Sequence, residues 1–399
     1  MAQISNEALV EKALITVDAL ASNGLLSPAQ SDKFIDYVVD ESVLKNNARI
    51  FRFRNSTLEI DKIGLGKRAA MPKAEAQDPG KRRGLTTSKI NLTPREIMVP
   101  FEISDNFREN NIEGDDVEDH VIRMFARQLG NDLEDLLIGG DNLGPAVLES
   151  NYDDNGSSTQ YVLDSYLKLV QGWIRSADSG HVVDAGSQNI GLGLFSKAIR
   201  AMPTKFRRNK DQLRWFMSPD LWQIYVEKLT TRATVLGDAA AVGNQGQIGP
   251  FGIPVVPVPR WDFVTPTVEH VTLVTSTPVA LRYADITNPV VTPTTLGSAP
   301  ATPYVNGTDY SIDTTAGTIV LVGGALSSGN SVKVTYSAPP QLILTHQSNF
   351  IVGIGRDIRI EKDRDIFKGL NQYAISTKID AQLEEVDAVV KVKNIGRNA

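Results

Sequence analysis

At 399 residues, with 41% hydrophobic and 22% charged content, the chain is long enough for two or three compact units with sizeable cores. A net charge of −6 argues against wholesale nucleic-acid binding, and the lack of cysteine excludes disulfides, thiolate metal sites and cysteine nucleophiles. No window approaches the ~18 consecutive apolar residues of a membrane helix, and the first 30 residues lack the pattern of an export signal, so a protein made and first folded in a cytoplasm is expected.

Residues 1–48 read as helical and amphipathic, over Ala8–Ala21 and again from Ser27-Pro28 to Leu44. Arg49–Ile63 alternates in a strand-like way. From Lys45 to Arg95 the chain carries 13 basic against four acidic residues, a balance of +9; from Glu96 to Asp141 it carries 13 acidic against three basic, a balance of −10. Between Lys62 and Asn91 only Ile63, Leu65, Met71, Leu85 and Ile90 are sizeable apolar groups. Such a stretch cannot bury enough surface to offset its own ordering entropy, so it must lie along another molecule or stay disordered. Asp78-Pro79-Gly80 reads as the tip of a long hairpin returning through Leu85–Ser104.

Glu113–Ile138 is the clearest helix. Val117, Val121, Met124, Phe125, Leu129, Leu133, Leu136 and Leu137 form one stripe, Asp115, Asp116, Glu118 and Asp119 suit its positive end, and Gly139-Gly140 stops it. Its length is about 36–39 Å. Tyr161–Ser176 and Leu194–Met202 read as helices, Leu213–Met217 as a strand, and Ser218-Pro219-Asp220 as the cap of a helix through Leu229. Ile253–Pro259 is extended, and its prolines place it at a sheet edge or bulge. Residues 284–340 turn rich in Thr, Val, Pro, Gly and Ser; Tyr304–Ile312, Thr318–Val322 and Ser331–Tyr336 alternate as strands of a small all-β insert. Strand-like runs return at Phe350–Ile354, Asp357–Ile360, Tyr373–Ile379 and Ala388–Val392.

Catalytic and metal signatures are missing. His120, His181, His270 and His346 are scattered and read as structural. Gly64-Leu65-Gly66-Lys67 lacks the rest of a phosphate loop. Asn151, Asp153, Asn155 and Gly156 open like a calcium loop, but Val162 stands where its glutamate belongs, which leaves a polar turn. Lys205, Arg207, Arg208, Lys210 and Arg214 could touch phosphates, with a solvated loop as the plainer reading.

Three later landmarks fall in a recognisable order: Leu213-Arg-Trp-Phe-Met-Ser-Pro-Asp-Leu-Trp222, Gly249-Pro-Phe-Gly-Ile-Pro-Val-Val256 and Asn349–Asp365, closed by Lys378–Ile395. With the hairpin and long helix before them, they resemble the major capsid proteins of tailed bacteriophages with the Hong Kong 97 fold. The resemblance implies an α+β chain with an N-terminal arm (1–48), an extended-loop hairpin (49–100), and a peripheral domain with spine helix (101–141 and 342–385). It further implies an axial domain (142–283 and 386–399) and a small all-β insertion domain (284–341) projecting from the outer face.

On that resemblance the chain forms hexamers and pentamers of an icosahedral head around double-stranded DNA, assembled in the host cytoplasm and ending in the virion. Lys62, Lys67, Arg68, Lys73, Lys81, Arg82, Arg83 and Lys89 are the cations expected to reach a neighbour. Asp115, Asp116, Glu118 and Asp119 are their expected acidic complement, and Tyr304, Asp309 and Tyr310 the expected contacts of the insertion domain. A separate scaffolding protein, a portal and a decoration protein are the expected partners, packaged DNA is touched only non-specifically, and no membrane, cofactor, metal or catalytic residue is expected. A cellular nanocompartment shell, an unrecognised enzyme and a secreted β-domain adhesin are the alternatives.

Overall fold

A computed structural model describes residues 14–15, 48–53, 57–64, 86–110, 117–153, 155–208, 210–230, 249–259, 261, 266–296 and 301–396. Three hydrophobic cores organise them.

The first lies between a long helix, α1 (Val117–Gly139), and a five-stranded sheet. The sheet runs in the order β1 (Leu14–Ile15), β5 (Arg95–Ser104), β19 (Leu370–Leu383), β18 (Phe350–Asp365) and β2 (Arg49–Arg52). The apolar stripe of α1 faces the sheet, with Val117, Val121, Leu129, Leu133, Leu136 and Leu137 buried. Phe101 stacks on Phe125 at 4.3 Å and on Tyr373 at 5.1 Å, tying helix to strands. β18 and β19 form one hairpin far longer than the broken runs read from sequence. Its register shifts on both sides of Arg356, beside Gly355, where any Cβ would come within 2.8 Å of Pro94. The Asp365 Oδ1 accepts from the Phe367 and Lys368 amides and Gly369 takes a positive φ of 65°, which closes the tip.

The second core underlies a mixed sheet in the order β10 (Val255–Pro257), β9 (Leu213–Met217), β17 (Leu342–His346), β20 (Val390–Lys393) and β8 (His181–Asp184). Two helices cover it, α2 (Leu192–Ala201) and, after the single turn α3 (Thr204–Arg207), α4 (Pro219–Thr230). Phe195 meets Trp215 and Tyr225 edge-on at 4.8 and 5.0 Å. The proline-rich β10 sits at the sheet edge as expected. Ser218 Oγ accepts from the Leu221 amide at 3.2 Å, capping α4. Ser218→Ala is expected to cost about 1 kcal/mol, read from the urea midpoint.

The third core belongs to the β unit, built from two three-stranded sheets: β11 (Pro266–Thr272), β16 (Ser331–Ser337), β13 (Thr287–Pro293), and β12 (Val279–Ala280), β15 (Thr318–Leu321), β14 (Tyr310–Asp313). Pro266 pairs with Ser337, so the strands that open and close the unit lie side by side. Two short ribbons complete the strands: β3 (Leu58–Gly64) with β4 (Thr86–Leu92), and β6 (Ala146–Leu148) with β7 (Tyr161–Leu163).

Several expectations need correction. The insertion begins at Pro266, not at residue 284, because Val271, Leu273, Leu281 and Tyr283 belong to its core despite the charged residues among them. β17 joins the axial sheet, not the peripheral one, and β5 joins the peripheral sheet, not the extended-loop hairpin. Within the N-terminal arm, Leu14–Ile15 forms a parallel bridge to Glu102–Ile103, where the sequence predicts a helix. Tyr161–Ser176 is not a helix. Asp164 Oδ1 accepts from the Tyr166 and Leu167 amides and ends the strand in a turn, leaving only Trp173–Ser176 helical.

Candidate assembly surfaces and the junction that orients them

Among the described strands, β3 and β4 pair only with each other, Leu58 opposite Leu92 and Ile60 opposite Ile90, so the described part of the basic finger is a two-stranded ribbon. Ribbons of this kind are marginal alone in water. Its foot is fixed: Leu92 is fully buried and lies, with Phe53, over the bare backbone of Gly353, and the Thr93 amide donates to Asp380 Oδ2 at 2.7 Å. Beyond the foot, Lys89 pairs with Glu59 of the same ribbon at 2.6 Å and Lys62 reaches Glu385 at 3.6 Å. Lys67, Arg68, Lys73, Lys81, Arg82 and Arg83 lie outside the described residues.

The expected acidic complement divides. Asp115 and Asp116, and the side chain of Asp119, lie outside the described residues. Glu118 turns inward. Its carboxylate accepts from Lys362 at 2.6 Å, Asn371 at 2.6 Å and Tyr373 at 2.7 Å, with Arg108 at 3.5 Å. Burial works against its charge, but the bonds from Lys362, Tyr373 and Asn371 win, and the carboxyl is held below its ordinary range. Glu118 therefore clasps the start of α1 to β18 and β19 of its own subunit and is not a free partner for a neighbour's finger. Glu118→Ala is expected to cost about 2 kcal/mol, because it also strands the buried Asn371 amide; urea unfolding of the unassembled subunit checks it.

The three residues expected as contacts of the insertion are also internal. Tyr310 is buried in the core of the β unit, and Tyr304 packs against that core. Asp309 is buried and accepts from the Val305 and Ala325 amides, both at 2.7 Å, which hold its carboxyl below the ordinary range. Gly324 follows from that loop: a Cβ there would overlap Asp309 Oδ1. Among the described residues, the exposed large apolar groups of the unit are Val274, Val305 and Val322.

Sequence reasoning missed the junction where all three cores meet. The Lys391 side chain is fully buried, and its Nζ donates to Asp178 Oδ1 at 2.6 Å, the Ile174 carbonyl at 3.0 Å and the Tyr283 hydroxyl at 2.5 Å. Asp178 Oδ2 also receives Arg175 at 3.2 Å and Arg282 at 3.5 Å, and Arg175 reaches Asp141 just beyond α1 at 3.6 Å. One carboxylate thus gathers cations from the axial sheet, the α1 side and the β unit. Burial lowers the Lys391 pKa to about 8 against the pull of Asp178, and burial with the neighbouring Asp178 raises that of Tyr283. Around the junction, Lys333 donates to the Leu143 and Gly144 carbonyls, Lys393 to the Arg282 carbonyl, and Ser187 to Asp285. Only the alternation of Lys391 and Lys393 in an otherwise apolar strand could have signalled it.

Among the described residues no group of three or more His, Cys, Asp or Glu side chains could hold a metal, and no helix is long and apolar enough to cross a membrane. Asp153 Oδ1 accepts from the Asn155 amide at 3.1 Å in the expected polar turn.

No protein-family model matches the chain. It is 28% identical over 392 residues to a Bacillus subtilis (strain 168) protein named as a prophage capsid protein, YqbE, covering 98% of this chain and 99% of the relative. Among solved structures it is similar to the capsid of a native GTA particle (TM-score 0.50, 11% identity, 95% of this chain and 99% of that one). It is also similar to a Microbacterium phage Oxtober96 chain (TM-score 0.50, 11% identity, 98% and 99%). A Gordonia phage Cozz chain matches likewise (TM-score 0.50, 11% identity, 94% and 93%). At such identities these likenesses establish the fold.

Proposed function

We propose that this chain, which has the α+β capsid fold of tailed phages, is a major capsid protein whose copies associate into the closed shell of a phage head. The observation that carries the reading is the β3–β4 ribbon, rooted in its own subunit by Leu92 and offering, beyond that root, strand edges that no other described strand pairs. A neighbouring copy supplies the surface that the ribbon lacks. Full-length similarity to a prophage capsid protein favours a phage head over a cellular nanocompartment, and a structural role over a catalytic one.

The tip of the β18–β19 hairpin offers a second contact. Ile366 and Phe367 are exposed there, at 79% and 102%, directly after the charged run Glu361–Asp365. The Asp178–Lys391 junction ties the β unit to the rest of the subunit; in this reading the unit lies on the outer face, where neighbours or a decoration protein meet it. Packaged double-stranded DNA, a portal and a separate scaffolding protein complete the reading, with assembly in the host cytoplasm. Electron microscopy of the expressed protein, alone and with its neighbouring gene products, tests it. Shells, rings or tubes are expected; a well-behaved monomer at high concentration under every combination overturns it.

A further inference from the structure

The cations of this protein are not distributed alike. In the peripheral and β units most described ones are matched: Arg356 and Lys378 with Glu96, Lys362 with Glu118, Arg364 with Asp105, Arg282 with Asp178; so is Lys391 of the axial sheet, also with Asp178. The axial segment from Lys197 to Arg214 is different. It holds seven basic residues against the single acid Asp211. Among the described residues, none of Arg200, Lys205, Arg207, Arg208, Lys210 and Arg214 makes an ion pair.

The segment is nevertheless held in place. The Phe206 amide donates to the Pro203 carbonyl, the Phe206 carbonyl lies 3.1 Å from His346 Nε2, and Arg214 is folded back onto the Asp211 and Leu213 carbonyls. Arg200, Lys205, Arg208 and Lys210 are exposed, whereas the Nε of half-buried Arg207 is shielded and has no acceptor. Cations fixed at this density repel one another, a cost relieved when a polyanion lies across them. The chemistry of that polyanion can be narrowed. No large hydrophobic side chain is exposed between Leu192 and Thr230, and Phe206 packs on the axial core, so a protein helix would find no apolar anchor. Forked guanidinium groups without apolar neighbours suit phosphodiester oxygens.

We propose that the α2–β9 segment of the axial unit is a docking site for the phosphate backbone of duplex DNA, read without regard to sequence. The proposal deepens the capsid reading and rests on it for the source of the DNA. A compact patch on a chain of net charge −6 gives weak, salt-sensitive contact that restrains DNA without gluing it down.

The test uses full-length unassembled protein and a fluorescein-labelled 30-base-pair duplex, titrated by anisotropy at about 50 to 300 mM salt. The patch variant carries Arg200→Gln, Lys205→Gln, Arg208→Gln and Lys210→Gln. A control of equal charge change carries Arg123→Gln, Lys168→Gln, Arg359→Gln and Lys368→Gln, all exposed positions on other elements. The patch variant is expected to bind about 10- to 100-fold more weakly at the lowest salt, with a salt slope shallower by about 3 to 4, one step of ~0.9 per phosphate released. The control should bind as the unaltered protein does, which separates the patch from any background contributed by the basic finger.

Equal losses in the two variants, or no loss in either, overturn the proposal. So does a patch variant that keeps its DNA affinity while losing an acidic protein partner. Electron microscopy of the unaltered protein, alone and expressed with its neighbouring gene products, keeps the two readings apart. Shells with equal DNA binding by the patch variant and the unaltered protein sink only this inference, and failure to form shells under every combination sinks only the capsid reading.

Discussion

Replacing residues 65–85 with an Asn-Gly turn is expected to leave a folded subunit that no longer closes into shells. The turn would join Gly64 to Thr86, which already pair, so β3 and β4 can close as an ordinary two-residue hairpin. The foot of the ribbon, with Leu92 against Gly353 and Thr93 on Asp380, would be untouched. The removed stretch holds six basic and two acidic residues and little that could build a core. Thermal unfolding of the unassembled subunit should therefore change by no more than a few degrees, while sedimentation and electron microscopy show loss of closed particles. Uniform shells from the shortened chain would mean that the finger does not join subunits.

Asp178→Asn is expected to be among the most damaging single substitutions in the subunit, costing about 3–5 kcal/mol. Three cations, Arg175, Arg282 and Lys391, converge on that carboxylate, and Lys391 has no access to water. With an amide in its place nothing offsets the burial that lowers the Lys391 pKa, so the lysine is left either as an unpaired buried cation or without its proton, and Arg175 and Arg282 lose their shared carboxylate. Adding Lys391→Met to Asp178→Asn should recover part of the loss, since a buried pair replaced by neutral groups of similar volume is far better tolerated than a pair broken on one side. Recovery from the second substitution separates this mechanism from a simple packing defect, which it would deepen.

The same lysine gives a pH signature. Its folded-state pKa is lowered to about 8 from an ordinary 10.5. Between those values the unfolded chain binds more protons than the folded one, so this group's contribution to stability rises with pH across that window. Relative to Lys391→Met, the unaltered protein should gain stability from pH 8 to pH 10. A flat difference would show that the lysine is not charged and buried as the geometry has it.

Local signals in the sequence were read correctly where a few adjacent residues decide the outcome. Ser218-Pro219-Asp220 caps its helix, the prolines of Val255–Pro257 mark a sheet edge, and Gly139-Gly140 ends α1. Adjacent residues say little where distant chain decides. Tyr310 alternates like a surface strand residue but faces a core assembled from Val271 through Ala338. Asp309 looks free for a partner until the Val305 and Ala325 amides are seen to close on it. Glu118 belonged, by charge, with the acids of the helix start; only the arrival of Lys362, Asn371 and Tyr373, more than 240 positions later, gives it to its own sheet. Composition misplaced the opening of the β unit because Glu269 and Arg282 look like axial surface. In the fold, Glu269 accepts from the Tyr336 hydroxyl and the Arg282 amide.

The neighbouring ends of that β unit carry a consequence for how such a chain changes over time. Because Pro266 faces Ser337 across one ladder, the gap left by excising everything between them is about the width of a single strand pair. Lineages could acquire, discard or exchange this module as a cassette without re-threading the host framework. By the same geometry, a foreign domain whose two termini emerge together could be seated there for display, provided that it brings its own substitute for the Arg282 and Tyr283 grip on the floor beneath.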